Sequence, residues 1–492
     1  MRPALLAVSC LIAGALAAPL SAQPAAAITV DVGKDLARVE PRVFGTNLHA
    51  NDESTDAVKA FIRDIGLTIY RYPDAGSYYF LQSPGDGWGS ATGAGAGHRL
   101  AASYLGDFRN AVQFARDTGA AITACVPVEN CTVEAAVAWV KYARERNLGI
   151  THWCLGNEVY YVDPLKNPDN YVMCIQKFSP AMKAADPSIK IGMDFGNAYE
   201  NRTGKWAEPI LRAAAADIDF IDVHWYAGRS NSGAPDWSII TSSPLRIAGD
   251  VKAFRQMVRQ CAPGRDMEVC YLEWGIFAKE PGQQSLANAL FAADCLGQFL
   301  LADIRIACNY NFQEKIFGLI PGWCKAEGWG GNPWNGVTVR PKALAIKLWT
   351  KYMAGFALVD AQVAGGGTFT PAKTWHEFLN YTGGDVPYLA AYAARDEARK
   401  RLTLMVINRK PDGQIAASIT VNGFRPAAAA KVATLNGPEY LSHNDDGKTF
   451  LSVTPAPPVS VKIAETAASG VGEKWEYAFP AHSITVIDMA AQ

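Results

Sequence analysis

The sequence has no surplus of either charge. Forty-six Lys and Arg stand against 47 Asp and Glu in 492 residues, a formal net charge of −1. Nucleic-acid binding needs clustered, excess basic residues, so the balance argues against a nucleic-acid partner. CxxC pairs and Cys/His clusters of zinc-site spacing are missing, which argues against a metal held by cysteine. His376-Glu377 lacks the second His of a zinc-protease helix. Beyond the N-terminus no apolar run is long enough to cross a bilayer. Charged residues are scarce at 19%, whereas 13 Trp, 19 Tyr and 20 Phe are present. That balance favours a neutral, flat-faced ligand, and an apolar fraction of 49% supports a large core.

Arg2 precedes an almost wholly apolar run from Ala4 to Ala18, and small residues follow through Ala22 and Ala25-Ala26-Ala27. This reads as a signal peptide over residues 1–27, with a cut after Ala17, Ala22 or Ala27, and predicts a secreted or periplasmic protein. Nine cysteines then remain. Export makes disulfides possible, with Cys125–Cys131 and Cys261–Cys270 as short-loop candidates, and the odd count leaves at least one thiol free.

From residue 41 to 355, β-rich runs alternate with amphipathic stretches. The runs are Val43–Leu48, Leu67–Tyr72, Ala121–Val128, Thr151–Leu155, Lys190–Phe195, Phe220–Tyr226, Glu268–Trp274 and Ile304–Phe312. Helix-like segments such as Ser54–Ile65, Val133–Asn147 and Ser285–Ala302 lie between them, and Pro341–Ala354 comes last. Eight strand–helix units predict a (β/α)8 TIM barrel. An open doubly wound sheet is the rival, but Gly93-Ala94-Gly95-Ala96-Gly97 sits deep in a loop and does not fit a phosphate fingerprint. From 356 to 492, alternating runs separated by Pro-Asp-Gly, Asn-Gly and Asp-Asp-Gly turns predict a C-terminal all-β sandwich. The alternating segment 28–40 is expected to add a strand to it.

Two glutamates stand at predicted strand ends: Glu158 in Gly156-Asn157-Glu158 after the fourth strand, and Glu273 in Leu272-Glu273-Trp274 at the seventh. Barrel active sites lie at the C-terminal ends of the strands, so both carboxylates would face one mouth. Two carboxylates about 5–5.5 Å apart suit retaining glycoside hydrolysis, one protonated and one ionised.

At these motifs the chain resembles a clan A glycoside hydrolase and is most similar to family 51 α-L-arabinofuranosidases. The resemblance implies Glu158 as acid/base, Glu273 as nucleophile and Asn157 as a ligand of the sugar 2-hydroxyl. Val43-Phe44-Gly45-Thr46-Asn47 resembles the first-strand motif that delivers a substrate-binding polar residue, here Asn47. Tyr70-Arg71-Tyr72-Pro73 resembles the second-strand run whose Arg sits under the nucleophile. Asp222-Val223-His224-Trp225-Tyr226 resembles the sixth-strand motif whose Tyr bonds the nucleophile. Asn408-Arg409 and Phe479-Pro480-Ala481-His482-Ser483 resemble parts of that family's sandwich. Asp74-Ala75-Gly76 and Val159-Tyr160-Tyr161 depart from the family pattern in loops that shape the sugar subsites.

His224, Trp274 and the loop tryptophans Trp323, Trp329 and Trp334 are further candidates for sugar contact, with packing as the competing role of the tryptophans. The implied partner is a carbohydrate, cleaved in polysaccharide or oligosaccharide with no cofactor and no metal. Other clan A specificities remain open, among them endo-β-glycanase, β-xylosidase and β-glucuronidase, as does a non-catalytic carbohydrate-binding role.

Overall fold

The computed structural model describes residues 26–49, 52–73, 79–83, 87–90, 105, 108–196, 198–201, 204–322, 334–445 and 461–492. The expected signal peptide as far as Ala25, the Gly93–Gly97 run, Trp323, Cys324, Trp329 and the alternating run Thr449–Val453 of the C-terminal region lie outside the described residues.

The chain begins with β1 (Ala26–Arg38) and then enters the barrel with β2 (Gly45–Asn47) and β3 (Ile69–Tyr72). A hairpin of β4 (Tyr79–Ser83) and β5 (Gly87–Ser90) precedes β6 (Ala121–Val126), β7 (His152–Leu155) and β8 (Lys190–Asp194). β9 (Phe220–Ala227), β10 (Glu268–Ile276) and β11 (Ala307–Asn309) complete the circuit. β2, β3 and β6–β11 pair in chain order, all parallel, and β11 closes on β2. This is the (β/α)8 barrel, not the open sheet.

The helices are α1 (Asp56–Ile65), α2 (Phe108–Thr118), α3 (Val133–Glu145), α4 (Pro168–Ala185), α5 (Ala198–Asn201), α6 (Ala207–Ala214), α7 (Trp237–Ser242), α8 (Ile247–Cys261), α9 (Leu286–Leu301) and α10 (Pro341–Met353). α1 shows how the sequence sets each one. Thr55 caps it by accepting from the Val58 N–H, Gly66 ends it at φ +77°, and Val58, Phe61, Ile62 and Ile65 form its buried stripe.

The second domain is built from β12 (Ala357–Gly365), β13 (Thr368–Phe369), β14 (Val386–Pro387), β15 (Leu389–Arg395), β16 (Arg401–Asn408), β17 (Ile415–Asn422), β18 (Ala429–Asn436), β19 (Lys462–Ser469), β20 (Lys474–Phe479) and β21 (Ser483–Ala490). Among the described residues nine strands form one sheet, in the order β19-β18-β21-β16-β15-β12-β1-β17-β20. Ala430 and Val432 near one end of that order share a core with Trp475 and Phe479 at the other, so the sheet folds over on itself as a sandwich. β1 lies inside it, antiparallel to β12 and parallel to β17.

Period-two alternation divides the sandwich strands between two cores. Leu402, Leu404 and Val406 of β16 face the sandwich interior, while Met405 and Ile407 face the barrel helices. That outer face covers α9, which is apolar on nearly every side and almost wholly buried. At Gly297 of α9 an added Cβ would stand 2.2 Å from the Tyr392 ring, so only glycine lets the sheet come so close. The Tyr392 hydroxyl donates to Asp294 at 2.5 Å, and Arg409 pairs with the same carboxylate at 2.5 Å. The sandwich also supplies Ser442 and Tyr440 carbonyls to the first N–H groups of α9, at 2.9 and 2.8 Å.

The disulfide expectation is corrected. Cys125, Cys131, Cys154, Cys174, Cys261, Cys270, Cys295 and Cys308 are all free. Cys125 and Cys270 are fully buried in barrel strands, whereas Cys131 lies in a loop and Cys261 ends a helix.

Candidate active site

Alternation along the strands decides which side chains enter the barrel. In β3, Tyr70 and Tyr72 turn outward to Phe114 and Phe108, so Arg71 turns inward. In β9, Phe220 joins the inner core while Val223 and Trp225 join the helix layer. Asp222, His224 and Tyr226 therefore share the inner face.

β10 breaks this rule at the position that matters most. Cys270 pairs with Asp222 but Glu273 pairs with His224, three residues against two, and the same shift appears against β11. This is a β-bulge. Strict alternation from Cys270 and Leu272, both in the inner core, would aim Trp274 inward and Glu273 out. The bulge reverses that. Its freed backbone groups find partners: Leu272 N–H donates to Asp222 at 3.2 Å, and Leu272 C=O accepts from Asn47 at 2.9 Å.

Glu273 is 5% exposed and held from three sides. Arg71 donates to one carboxylate oxygen at 2.8 Å, Tyr226 donates to the other at 2.6 Å, and His224 Nδ1 stands 3.4 Å from that second oxygen. Arg71 is fully buried and also donates to Asn47 at 3.1 Å and Asn157 at 2.7 Å. One guanidinium thus ties the first, second, fourth and seventh barrel strands together at the mouth.

Glu158 reaches the same mouth through a strained turn. Gly156 has φ +94°, and a Cβ there would come within 2.4 Å of Val159, so the Gly of Gly-Asn-Glu is required. Glu158 itself sits in the left-handed region at φ +49°. The turn is anchored by the Val159 N–H donating to Asp194 at 2.7 Å. Tyr160 donates to Glu158 at 3.2 Å, and His224 Nδ1 lies 3.2 Å from the same oxygen. One oxygen of Glu158, one of Glu273 and one nitrogen of His224 all fall within 4.8 Å of one another.

Electrostatics follows from this crowding. Burial alone would lower the His224 pKa, but Glu273, Asp222 and Glu158 raise it well above the ordinary imidazole value. The three carboxylates around the ring thus favour its protonated form. Burial lifts the Glu273 carboxyl, against the pull of His224 and Arg71. Burial lifts Glu158 too, but the His224 hydrogen bond and charge, with Tyr160 and Arg71, carry it below the usual range. This order is the reverse of an ionised Glu273 beside a protonated Glu158. Geometry favours the ionised state at Glu273 nonetheless, because it is the carboxylate to which the buried Arg71 donates, and an unpaired buried guanidinium is costly. The Glu158 side chain is 34% exposed, so a sugar seated on it removes water and raises its pKa, whereas Glu273 is already dry.

The trio is also the group among the described residues that could share an ion. Its chemistry does not suit one: Arg71 and Tyr226 already occupy Glu273, and the surroundings of His224 favour the protonated ring, which cannot bind a metal through Nδ1.

The structure gathers Glu158, Glu273, Asn157, His224, Tyr226, Arg71 and Asn47 in one cluster. Asn47 lies beneath the surface at 0% exposure, so its expected role as a sugar contact becomes one of support, and Arg71, equally buried, lies under Glu273. Trp274 is a correction. The bulge turns it outward, where it packs against Phe291 and Phe299 of α9. Trp334 takes the packing role, against Phe61 at 5.2 Å with its indole N–H donating to Thr338 C=O. Sequence reasoning missed Asp194, Tyr160 and the supporting function of Asp222. The Asp-x-His-x-Tyr spacing of β9 carried the signal for Asp222.

No protein-family model matches the chain, and no curated protein does. Among solved structures, an α-L-arabinofuranosidase from Thermotoga maritima is similar at 19% identity, covering 94% of this chain and 100% of that one, with a TM-score of 0.70. A GH51 arabinofuranosidase from Xanthomonas axonopodis pv. citri shares 16% identity, with 95% and 100% covered and a TM-score of 0.71. A Paenibacillus polymyxa xyloglucanase of family 44 shares 14%, with 95% and 99% covered and a TM-score of 0.65. At these identities the likeness establishes a common two-domain fold.

Proposed function

We propose that this protein is a retaining glycoside hydrolase, with Glu273 as nucleophile and Glu158 as acid/base. The observation that carries the reading is the carboxylate pair within 4.8 Å at the barrel mouth, too close to admit the water an inverting enzyme places between them. Glu158 protonates the departing oxygen while Glu273, oriented by Arg71 and Tyr226, attacks the anomeric carbon. The C–O bond to the leaving group breaks as the Glu273 ester bond forms, and Glu158 then takes a proton from the water that releases the sugar. Asn157 turns its amide oxygen to Arg71, which leaves its N–H groups for the sugar 2-hydroxyl. The substrate reading is α-L-arabinofuranosidase-like action on polysaccharide or oligosaccharide, supported by the motifs and the shared fold, in a secreted or periplasmic protein.

A second reading is endo-β-glycanase action. It is favoured by the likeness to the xyloglucanase and by exposed aromatic rings around the mouth.

Proton NMR of the first product formed from a panel of aryl glycosides tests the mechanism; retained anomeric configuration is expected, and inversion would overturn it. Glu158→Ala should impair poor leaving groups far more than activated aryl ones, with azide restoring the latter. Equal loss on both would remove Glu158 from the acid/base role.

A further inference from the structure

Every exposed large aromatic side chain among the described residues stands near the barrel mouth. Tyr161, 62% exposed, lies three residues beyond Glu158. Phe277, 49% exposed, lies four residues beyond Glu273. Trp375, 66% exposed, comes from the sandwich, in the segment between β13 and β14. That segment is docked on the loop after β9: the Trp375 N–H donates to Asn231 at 2.8 Å, and Thr374 donates to the Arg229 carbonyl at 3.1 Å.

The rings connect to the reaction centre. Tyr226, whose hydroxyl holds Glu273, is 6.0 Å from Phe317, and Phe317 is 5.9 Å from Phe277. The loop bearing Phe317 is tied down at several carbonyls. Arg340 donates to the carbonyls of Glu314, Lys315, Ile316 and Gly318 and pairs with Asp445 of the sandwich at 2.9 Å. Over the Phe277 ring, 4.8 Å from its centre, lies the Arg229 guanidinium. Arg229 is exposed and has no carboxylate partner among the described residues. Aromatic faces stack on the apolar faces of sugar rings, and a guanidinium laid on an aromatic ring presents a planar fork of donors suited to a carboxylate.

We propose that Phe277, Arg229 and Trp375 form a subsite for a glycan unit flanking the cleaved one, and that this unit is a sugar bearing a carboxylate. The proposal rests on the glycoside hydrolase reading and names part of its substrate. The full chain carrying Glu273→Gln, to stop turnover, is titrated calorimetrically with matched pairs of oligosaccharides. Each pair is a neutral xylose or galactose tetramer and the same backbone bearing a uronic acid. The acidic member should bind about fivefold tighter at low salt and lose that advantage at high salt. Adding Arg229→Gln should equalise the pair, and adding Phe277→Ala should weaken both members. Equal affinities in the parent, a preference that survives Arg229→Gln, or failure of all four sugars to bind would overturn the proposal. Turnover of aryl glycosides by the wild-type chain separates the two readings. Turnover without acidic preference removes only the subsite; preference without turnover removes only the hydrolase.

Discussion

The two interiors of this chain are made of different materials. The sandwich core is aliphatic and aromatic, with Ile28, Val30, Leu404, Ile419 and Phe479 packed from four strands of one folded sheet. The upper barrel holds Arg71, Asp194, Asp222, His224 and Glu273, each 5% exposed or less. Burying such charges costs several kcal/mol apiece unless each finds a partner. The sandwich accepts none of that cost in its core, and the barrel interior gathers it at its mouth, apart from the Asp294–Arg409 pair buried between the two domains. A protein spends stability in this way where chemistry needs preset charge, so the distribution itself marks the functional end of the molecule.

That contrast can be broken or sharpened by substitution. The largest effect is expected at Glu273→Gln, which should lower kcat by about 10⁴-fold or more with an unchanged circular dichroism spectrum. Near-normal turnover would contradict the nucleophile assignment. Next come the residues that hold the bulge. Asp222→Ala and Asn47→Ala should each lower kcat by about 10²-fold by letting Glu273 drift, with KM for aryl glycosides moving much less. In the sandwich core the balance should invert: Leu404→Ala should cost about 2–5 kcal/mol in denaturant unfolding while kcat per folded molecule stays the same.

The smallest effect concerns pH. Burial pushes the Asp194 carboxyl up to about 8, with Asp222 and Glu158 adding to the lift and His224 and the Val159 N–H opposing it. Above an ordinary carboxylate pKa near 4 the unfolded chain has lost this proton while the folded chain keeps it until about 8. Its stabilising contribution is therefore complete below about 4 and declines as pH rises through that window. Asp194→Asn should flatten this decline in thermal melts from pH 4 to 8. An unchanged slope would show that Asp194 is not the group responsible.

Much of this was legible in the sequence, for physical reasons that can be named. Six of the eight barrel strands lie within the apolar runs read from the sequence, and β9 and β10 overrun theirs by one and two residues at the C-terminal end, because buried parallel strands cannot carry polar residues at most positions. α6 was not read because its eight residues, Ala207–Ala214, give too short a periodic stretch. β19 escaped because Lys462–Ser469 is exposed over most of its length and shows no alternation. Glu158 and Glu273 could be named from their motifs, yet Trp274 was misplaced. A bulge is one extra residue in one strand, and nothing in the letters Cys-Tyr-Leu-Glu-Trp announces it. It becomes visible only when the register against β9 and β11 is known. The spacing of β9 placed Asp222 on the inner face, but what it and Asn47 support there was hidden for the same reason, since the backbone groups they satisfy are freed by that bulge.

Helix α9 bears on any attempt to shorten this protein. It is the last long element before the final barrel strand, yet its outer surface is as oily as its inner one, and Gly297 leaves a notch filled by a tyrosine from the neighbouring sheet. A chain ended near Gly355 would carry that surface into water and strand Asp294 without its arginine. The catalytic half is thus no cassette to be cut out and joined to another partner. It has to be produced, engineered and inherited together with the strands that shelter this helix.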